Sequence, residues 1–191
     1  MKRMIVFFER YRPVGETLHH FLTRYGRIRT ATNRSYYKMV DQRSEHWCFL
    51  LSGTLVYEAF NAKGDTSIVN VAIDNEYFSG TWHPFTQKSL PFALKFISPA
   101  VFYEIPNTRY REALKTYTDF SKIIHVLKQH EINKLRRFSE IYRAPLIDRV
   151  TLLNRYFPEI ASRLTIQQCS ELLDFTSSRD YYKSLKKHLK E

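Results

Sequence analysis

The chain has 191 residues, 43% of them hydrophobic, a formal net charge of +11 and two cysteines. That length holds one generous domain, or a domain of roughly 100–120 residues and a smaller one, ample for a buried core, while Cys48 and Cys169, far apart and outside any metal or redox spacing, give no disulfide framework and point to a reduced, cytoplasmic setting. Thirty Lys and Arg against nineteen acids set up an attraction toward polyanions, so nucleic acid is the leading partner.

In chain order, the apolar run Met4–Phe8 is cut at once by Glu9-Arg10-Tyr11-Arg12, too short for a signal segment or a membrane span, and no membrane association is expected. Leu18, Phe21, Leu22 and Tyr25 recur at helical spacing and predict a helix over about Glu16 to Tyr25. Strands take over after Gly26. Tyr36–Val40 and Trp47–Leu51 are rich in aromatic and β-branched residues, Ser52-Gly53 is a turn, and Thr54–Asn61 alternates. Ala62-Lys63-Gly64-Asp65 is expected as a hairpin tip with Thr66–Ile73 as the returning strand. Glu76–Ser79, Phe92–Ile97 and Ala100–Ile105 complete seven or eight short strands, the pattern of an antiparallel barrel or roll.

Past Pro106-Asn107 the period lengthens to helical. Leu114, Tyr117, Phe120, Ile123, Ile124, Leu127, Ile132, Leu135, Phe138 and Ile141 mark one broad apolar face, with a break near Thr118-Asp119 and a long helix running to Arg143. Pro145 ends it, and Leu146–Tyr156 is the next amphipathic stretch, closed by Phe157-Pro158-Glu159-Ile160. Thr165 is a natural cap for a short helix with Ile166, Cys169, Leu172 and Leu173 on its apolar side; Asp174 is the left-handed turn residue, Phe175 plugs the turn, and Thr176 caps a last helix running to about Leu189.

The run Trp47-Cys48-Phe49-Leu50-Leu51-Ser52-Gly53-Thr54-Leu55-Val56, the Lys63-Gly64-Asp65 hairpin and Asp74-Asn75-Glu76-Tyr77-Phe78, followed by the helical half, resemble the cyclic-AMP receptor protein/Fnr family of transcription regulators over about residues 10–190. The resemblance implies an α+β chain: an antiparallel β-roll (a double-stranded, jelly-roll-like barrel) over 1–117, a dimerisation helix over 118–143 and a helix-turn-helix over 144–191. It implies a homodimer paired through the long helix at Ile124, Leu127, Leu135 and Phe138, although the five-residue step from Leu127 to Ile132 breaks a strict heptad. It also implies double-stranded DNA as partner and contact with RNA polymerase.

In members that bind cyclic AMP, a Gly-Glu pair and an Arg-Ser pair about ten residues later hold ribose and phosphate, since a buried anion needs such donors. Here Ser79-Gly80 and Leu90-Pro91 stand at those places, and Lys88 is a point charge without the guanidinium fork. No binding of cyclic AMP or GMP is expected. The degenerate pocket of Ser79, Gly80, Thr81, Trp82, Lys88, Leu90 and Pro91 is left for another small-molecule effector or for none; Trp82, His83, Phe85 and Phe92 are its candidate lining. The cysteines of the iron–sulfur members are absent.

Nothing points to catalysis. His46 and His83 are isolated, His19 and His20 are helix neighbours that point apart, and no His-x-His barrel metal motif, Ser-His-Asp order, P-loop or dinucleotide glycine pattern occurs. No cofactor or metal is expected. The candidate DNA contacts are Thr176, Ser177, Ser178, Arg179, Tyr182, Lys183, Lys186 and Lys187; Arg179 suits bidentate reading of guanine, the lysines suit phosphates. A standard motif buries the second helix at Asp180 and Lys183, yet the apolar residues are Tyr181, Tyr182, Leu185 and Leu189. Either the helix is rotated by a residue or two, or the domain has drifted into a small-molecule-binding or scaffolding dimer without DNA function. No winged hairpin is expected, the chain stopping at Glu191.

Overall fold

The computed structural model describes residues 1–40, 42–60, 66–86 and 88–189. The expected hairpin tip at Ala62-Lys63-Gly64-Asp65 lies outside the described residues. The chain forms two compact units, one of Met1–Glu58 with Val71–Gln129 and the other of Ala59–Asn70 with His130–Glu191. The division within the helical stretch after Pro106 comes at residue 129.

The first unit opens with α1 (Lys2–Glu9) and α2 (Glu16–Tyr25). The run Met4–Phe8, read above only as too short for a span, is the inner face of α1: Met4, Ile5 and Phe8 are buried. Eight strands follow in the chain, the end of β4 and most of β5 falling in the second unit: β1 (Arg27–Ala31), β2 (Tyr36–Lys38), β3 (His46–Ser52), β4 (Leu55–Phe60), β5 (Thr66–Ala72), β6 (Tyr77–Ser79), β7 (Ala93–Phe96) and β8 (Ala100–Pro106). They form two four-stranded sheets, ordered β1-β8-β3-β6 and β2-β7-β4-β5, which are not closed into one barrel. At the β3 end, Gly53 holds φ +111°, and a Cβ there would stand 2.6 Å from that of Ala100, so this turn requires glycine.

β3 shows why the sheets lie as they do. Its residues Trp47 to Leu51 are buried without interruption, the mark of a strand covered on both faces. Trp47, Phe49 and Leu51 point to a helical layer made by Met4 and Phe8 of α1, Leu18 and Leu22 of α2, Tyr110 and Ala113 of α3 (Asn107–Thr116), and Phe120, Ile123, Ile124 and Leu127 of α4 (Thr118–Arg143). Cys48 and Leu50 point the other way, into the space between the sheets, where they meet Leu55, Phe78, Leu94, Phe96 and Phe102. Register carries both layers together, with Trp47 opposite Ile105 and Phe49 opposite Tyr103. Each fully buried side chain of this size contributes about 1.5–3 kcal/mol relative to exposure.

Besides Ala59–Asn70, the second unit takes the end of α4 and continues with α5 (Leu146–Tyr156), α6 (Pro158–Arg163), α7 (Ile166–Leu172) and α8 (Ser178–His188). Its core contains Phe138, Ile141, Val150, Leu153, Ile160, Cys169, Leu172, Leu173 and Tyr181. Phe138 stacks on Phe157, centroids 4.6 Å apart and planes at 15°. None of the described helices is long and apolar enough to cross a membrane.

Candidate nucleic-acid interface and the altered effector site

The two short helices and their turn follow from local chemistry. Thr165 caps α7 in a reciprocal box with Gln168: its hydroxyl accepts from the Gln168 N–H, and the Gln168 side chain accepts from the Thr165 N–H. Asp174 takes φ +58° in the turn, and Phe175 N–H closes it on the Ser170 carbonyl at 3.0 Å. The cap of α8 is Ser177, not Thr176: its hydroxyl accepts from Arg179 N–H at 3.1 Å. Ile166, expected on the apolar side of α7, is 47% exposed, whereas Cys169, Leu172 and Leu173 are buried.

The phase of α8 is now fixed. Tyr181 and Ser184 are its buried residues, and the Ser184 hydroxyl donates to the Ile147 carbonyl of α5 at 2.9 Å. Lys183, which a standard motif would bury, is exposed, and Asp180 is half-buried. Ser178, Arg179, Tyr182, Lys183 and Lys186 are all exposed, and at 100° per residue they fall on one stripe opposite the buried pair. Thr176 is exposed ahead of the helix and Ser177 is half-buried by its capping role. Lys187 departs from the expected contact set, because its ammonium is engaged by Asp148 of α5. Lys183 pairs with Asp180 at 2.9 Å within its own helix, an exposed pair worth little and easily exchanged.

A clamp that sequence reasoning missed holds this head together. Arg149 of α5 donates from Nη1 to the Leu173 carbonyl at 2.6 Å and from Nη2 to the Tyr142 carbonyl at 2.9 Å, and the Tyr142 hydroxyl donates to the Leu172 carbonyl at 2.9 Å. The last carbonyls of α7 lack helical partners, so a guanidinium there both satisfies them and complements the helix dipole. An arginine in the middle of an amphipathic helix gives no sign of this use.

Three of the four positions expected on a dimer seam are buried in their own units. Ile124 and Leu127 lie in the helical layer of the first unit and Phe138 in the core of the second; only Leu135, at 51% exposure, is open. The five-residue step from Leu127 to Ile132 is about 140° around a helix, which carries Ile132 off the buried side. Ile132, Leu135 and Ser139 are exposed at spacings of three and four on α4.

In the first unit the expected effector position, at Gly80 and Leu90, holds a buried lysine. Lys38 of β2 is 1% exposed, and its ammonium donates to the carbonyls of Met39 (3.1 Å), Val40 (3.2 Å) and Leu90 (2.9 Å) and to the Ser89 hydroxyl (3.0 Å). A Cβ on Gly80 would stand 2.4 Å from Ser44 Cβ and 2.8 Å from Lys38 Cδ, so a side chain at Gly80 and this lysine compete for the same space. Lys88, the cation expected to stand in, is exposed instead.

The segment from Ser79 to Leu90 folds on itself. Leu90 N–H donates to the Gly80 carbonyl at 3.0 Å, Trp82 N–H to the Lys88 carbonyl at 3.1 Å, and Thr81 N–H to the Ser79 hydroxyl at 3.3 Å. These amides are thereby spent, where a phosphate cradle needs them free. Trp82 and Phe85, candidate lining residues, are 55% and 53% exposed, and His83 is exposed beside them; burial first and then Lys128 hold its imidazole below the ordinary value. Phe92 does pack inward with Leu90. The inner space carries Tyr37, Phe78, Phe96 and Phe102 in ring contact. The Tyr37 hydroxyl accepts from Ser44 at 2.9 Å, and burial pushes both it and the Cys48 thiol well above their usual values. Among the described residues no group of three His, Cys, Asp or Glu side chains gathers as a metal site.

No family model matches the sequence, and no curated protein matches it. Solved structures do. FixK2 from Bradyrhizobium japonicum superposes with a TM-score of 0.69 at 11% identity, covering 86% of this chain and 85% of that one. The c-di-GMP responsive global regulator CLP of Xanthomonas campestris gives 0.68 at 18% identity, covering 91% of each chain. A cyclic nucleotide-binding domain containing protein from Listeria monocytogenes gives 0.71 at 9% identity, covering 99% and 90%. Two sheets that do not close, a long helix and a group of short helices, in this order, are thus a fold that this chain shares with these solved structures.

Proposed function

We propose that this chain is a DNA-binding transcription regulator that works as a homodimer and does not answer to cyclic nucleotides. The observation that carries the reading is the exposed stripe of Ser178, Arg179, Tyr182, Lys183 and Lys186 on a helix whose opposite side is buried and whose turn is clamped. A cationic helix face of that length fits a major groove, with Arg179 nearest its start. The exposed Ile132 and Leu135 of α4 supply the pairing surface, giving two heads for a two-fold site.

Selection of bound duplexes from a random pool is expected to return a two-fold motif. Arg179→Ala then relaxes preference at one base pair per half-site, while Lys186→Ala weakens all sequences alike and reduces the salt slope by about one. Affinity for duplex that is insensitive to salt, with no enriched motif, returns the chain to the scaffolding reading. In a calorimetric titration, cyclic AMP is expected to give no binding up to roughly millimolar concentration; micromolar binding means that the Lys38 network yields to a ligand.

A further inference from the structure

Between Thr81 and Ser89 the first unit carries a short arm whose large aromatic side chains face outward. Trp82 is 55% exposed and Phe85 53%, with His83 exposed between them. Such side chains bury about 150–250 Å² each in a core, so about 100 Å² of each is left in water here, and an apolar patch rimmed by polar groups marks a surface with a partner. The arm is held in one shape. Thr81 pairs with Ser89, Trp82 N–H donates to the Lys88 carbonyl at 3.1 Å, and the Phe85 and Thr86 N–H groups donate to His83 Nδ1 at 3.2 Å and to the His83 carbonyl at 2.9 Å.

Cations surround these rings. Lys88 is exposed opposite Trp82 across the arm. Arg111 of α3 donates from Nη1 to the Pro84 carbonyl at 3.2 Å and sets its guanidinium 5.7 Å from the Phe85 ring centre, and Lys128 of α4 acts on the His83 imidazole by its charge. The His83 and Phe85 rings lie 5.1 Å apart with 31° between their planes, close to a single platform. The charge of the whole unit agrees with this local pattern. Seventeen of the thirty Lys and Arg lie in the first unit against ten of the nineteen acids, so more of the net positive charge is there than in the unit that bears α8. The α8 stripe therefore accounts for the smaller part of the chain's attraction toward polyanions.

Flat rings beside cations fit a polyanion whose own flat groups are free to stack. The bases of a duplex are already stacked on one another. A bilayer takes rings that stand clear of their loop, whereas each of these keeps close to half of its surface against the protein. An acidic peptide meets the cations and leaves the rings bare. We infer that this arm binds single-stranded nucleic acid, one base stacking on Trp82 and a second on the His83–Phe85 pair, with phosphates at Lys88, Arg111 and Lys128. DNA and RNA strands share that chemistry. The surface is built from residues of the first unit alone and does not rest on the regulator reading.

Tryptophan emission of the full chain tests this, because the chain has two tryptophans and the other, Trp47, is buried. The chain carries Arg179→Ala and Lys186→Ala on α8 throughout, so that binding by the head does not enter. Oligothymidylate and oligouridylate of about twelve nucleotides are expected to quench Trp82, their relative affinities telling DNA from RNA, while a duplex of the same length does not. Trp82→Ala, at an exposed position that does not threaten folding, weakens binding of a fluorescently labelled strand roughly tenfold, and Phe85→Ala roughly fivefold. Lys88→Gln lowers the salt slope by about 0.7. Absence of quenching by either strand at roughly 100 μM, equal quenching by the duplex, or strand affinity indifferent to Trp82→Ala overturns the inference. A blue shift of Trp82 emission on vesicles of anionic phospholipid, with no response to either strand, assigns the arm to a membrane surface and overturns it as well. Because α8 is disabled in every arm of the experiment, none of these outcomes bears on the regulator reading.

Discussion

Replacing Lys38 with methionine is expected to destabilise the first unit by roughly 3–5 kcal/mol, the cost of leaving several buried acceptors without their donor. Methionine keeps the volume of the stem but leaves the carbonyls of Met39, Val40 and Leu90 without the ammonium that now reaches all three. Ser89 keeps its own bond to the Gln42 carbonyl at 2.8 Å, which limits the loss there. Urea unfolding followed by the emission of Trp47, buried in the helical layer, measures the change. A shift below about 1 kcal/mol means that these groups find water or one another, and that Lys38 is not the keystone of the arm. Lys38→Arg does not rescue, since a planar fork does not reproduce an ammonium that reaches the Met39, Val40 and Leu90 carbonyls and the Ser89 hydroxyl from one point.

Arg149→Met carries the second large effect, expected to destabilise the second unit by about 2–4 kcal/mol. The loss falls on the Leu173 and Tyr142 carbonyls, which the guanidinium now serves at 2.6 and 2.9 Å, and with it on the angle at which α8 leaves the turn. Hydrogen exchange should speed up in α7 and α8 while β3 and β8 keep their protection. Duplex affinity should fall although no residue of the exposed stripe has changed. Uniform exchange in both units, or unaltered protection of α7, shows that the turn is held by its apolar residues alone.

Seven of the eight strands, the helix break after Pro106, the Thr165 cap and the left-handed Asp174 were readable, because each is set by groups a few residues apart: two-residue alternation, a missing proline N–H, a hydroxyl three residues from its amide, a short polar side chain at positive φ. Of the candidate site, the segment was legible and its phase was not. Tyr181 and Ser184 are inside because Ile147 of α5 receives the Ser184 hydroxyl, a partner 37 residues away that no local period announces.

The same distance in sequence hid the rest. An apolar face along α4 reads identically whether it meets a roll, a head or a twin, and only packing assigned Ile124 and Leu127 to one core, Phe138 to another and Leu135 to solvent. Lys38 in a strand of tyrosines looks like a surface cation until Ser89 and Leu90, about fifty positions on, bring their oxygens to it. Sequence determined which segments are helix and strand, because those depend on neighbours along the chain. Tertiary structure alone decided which charges are spent inside and which remain to meet a partner, because burial and hydrogen bonding depend on groups that only the fold brings together.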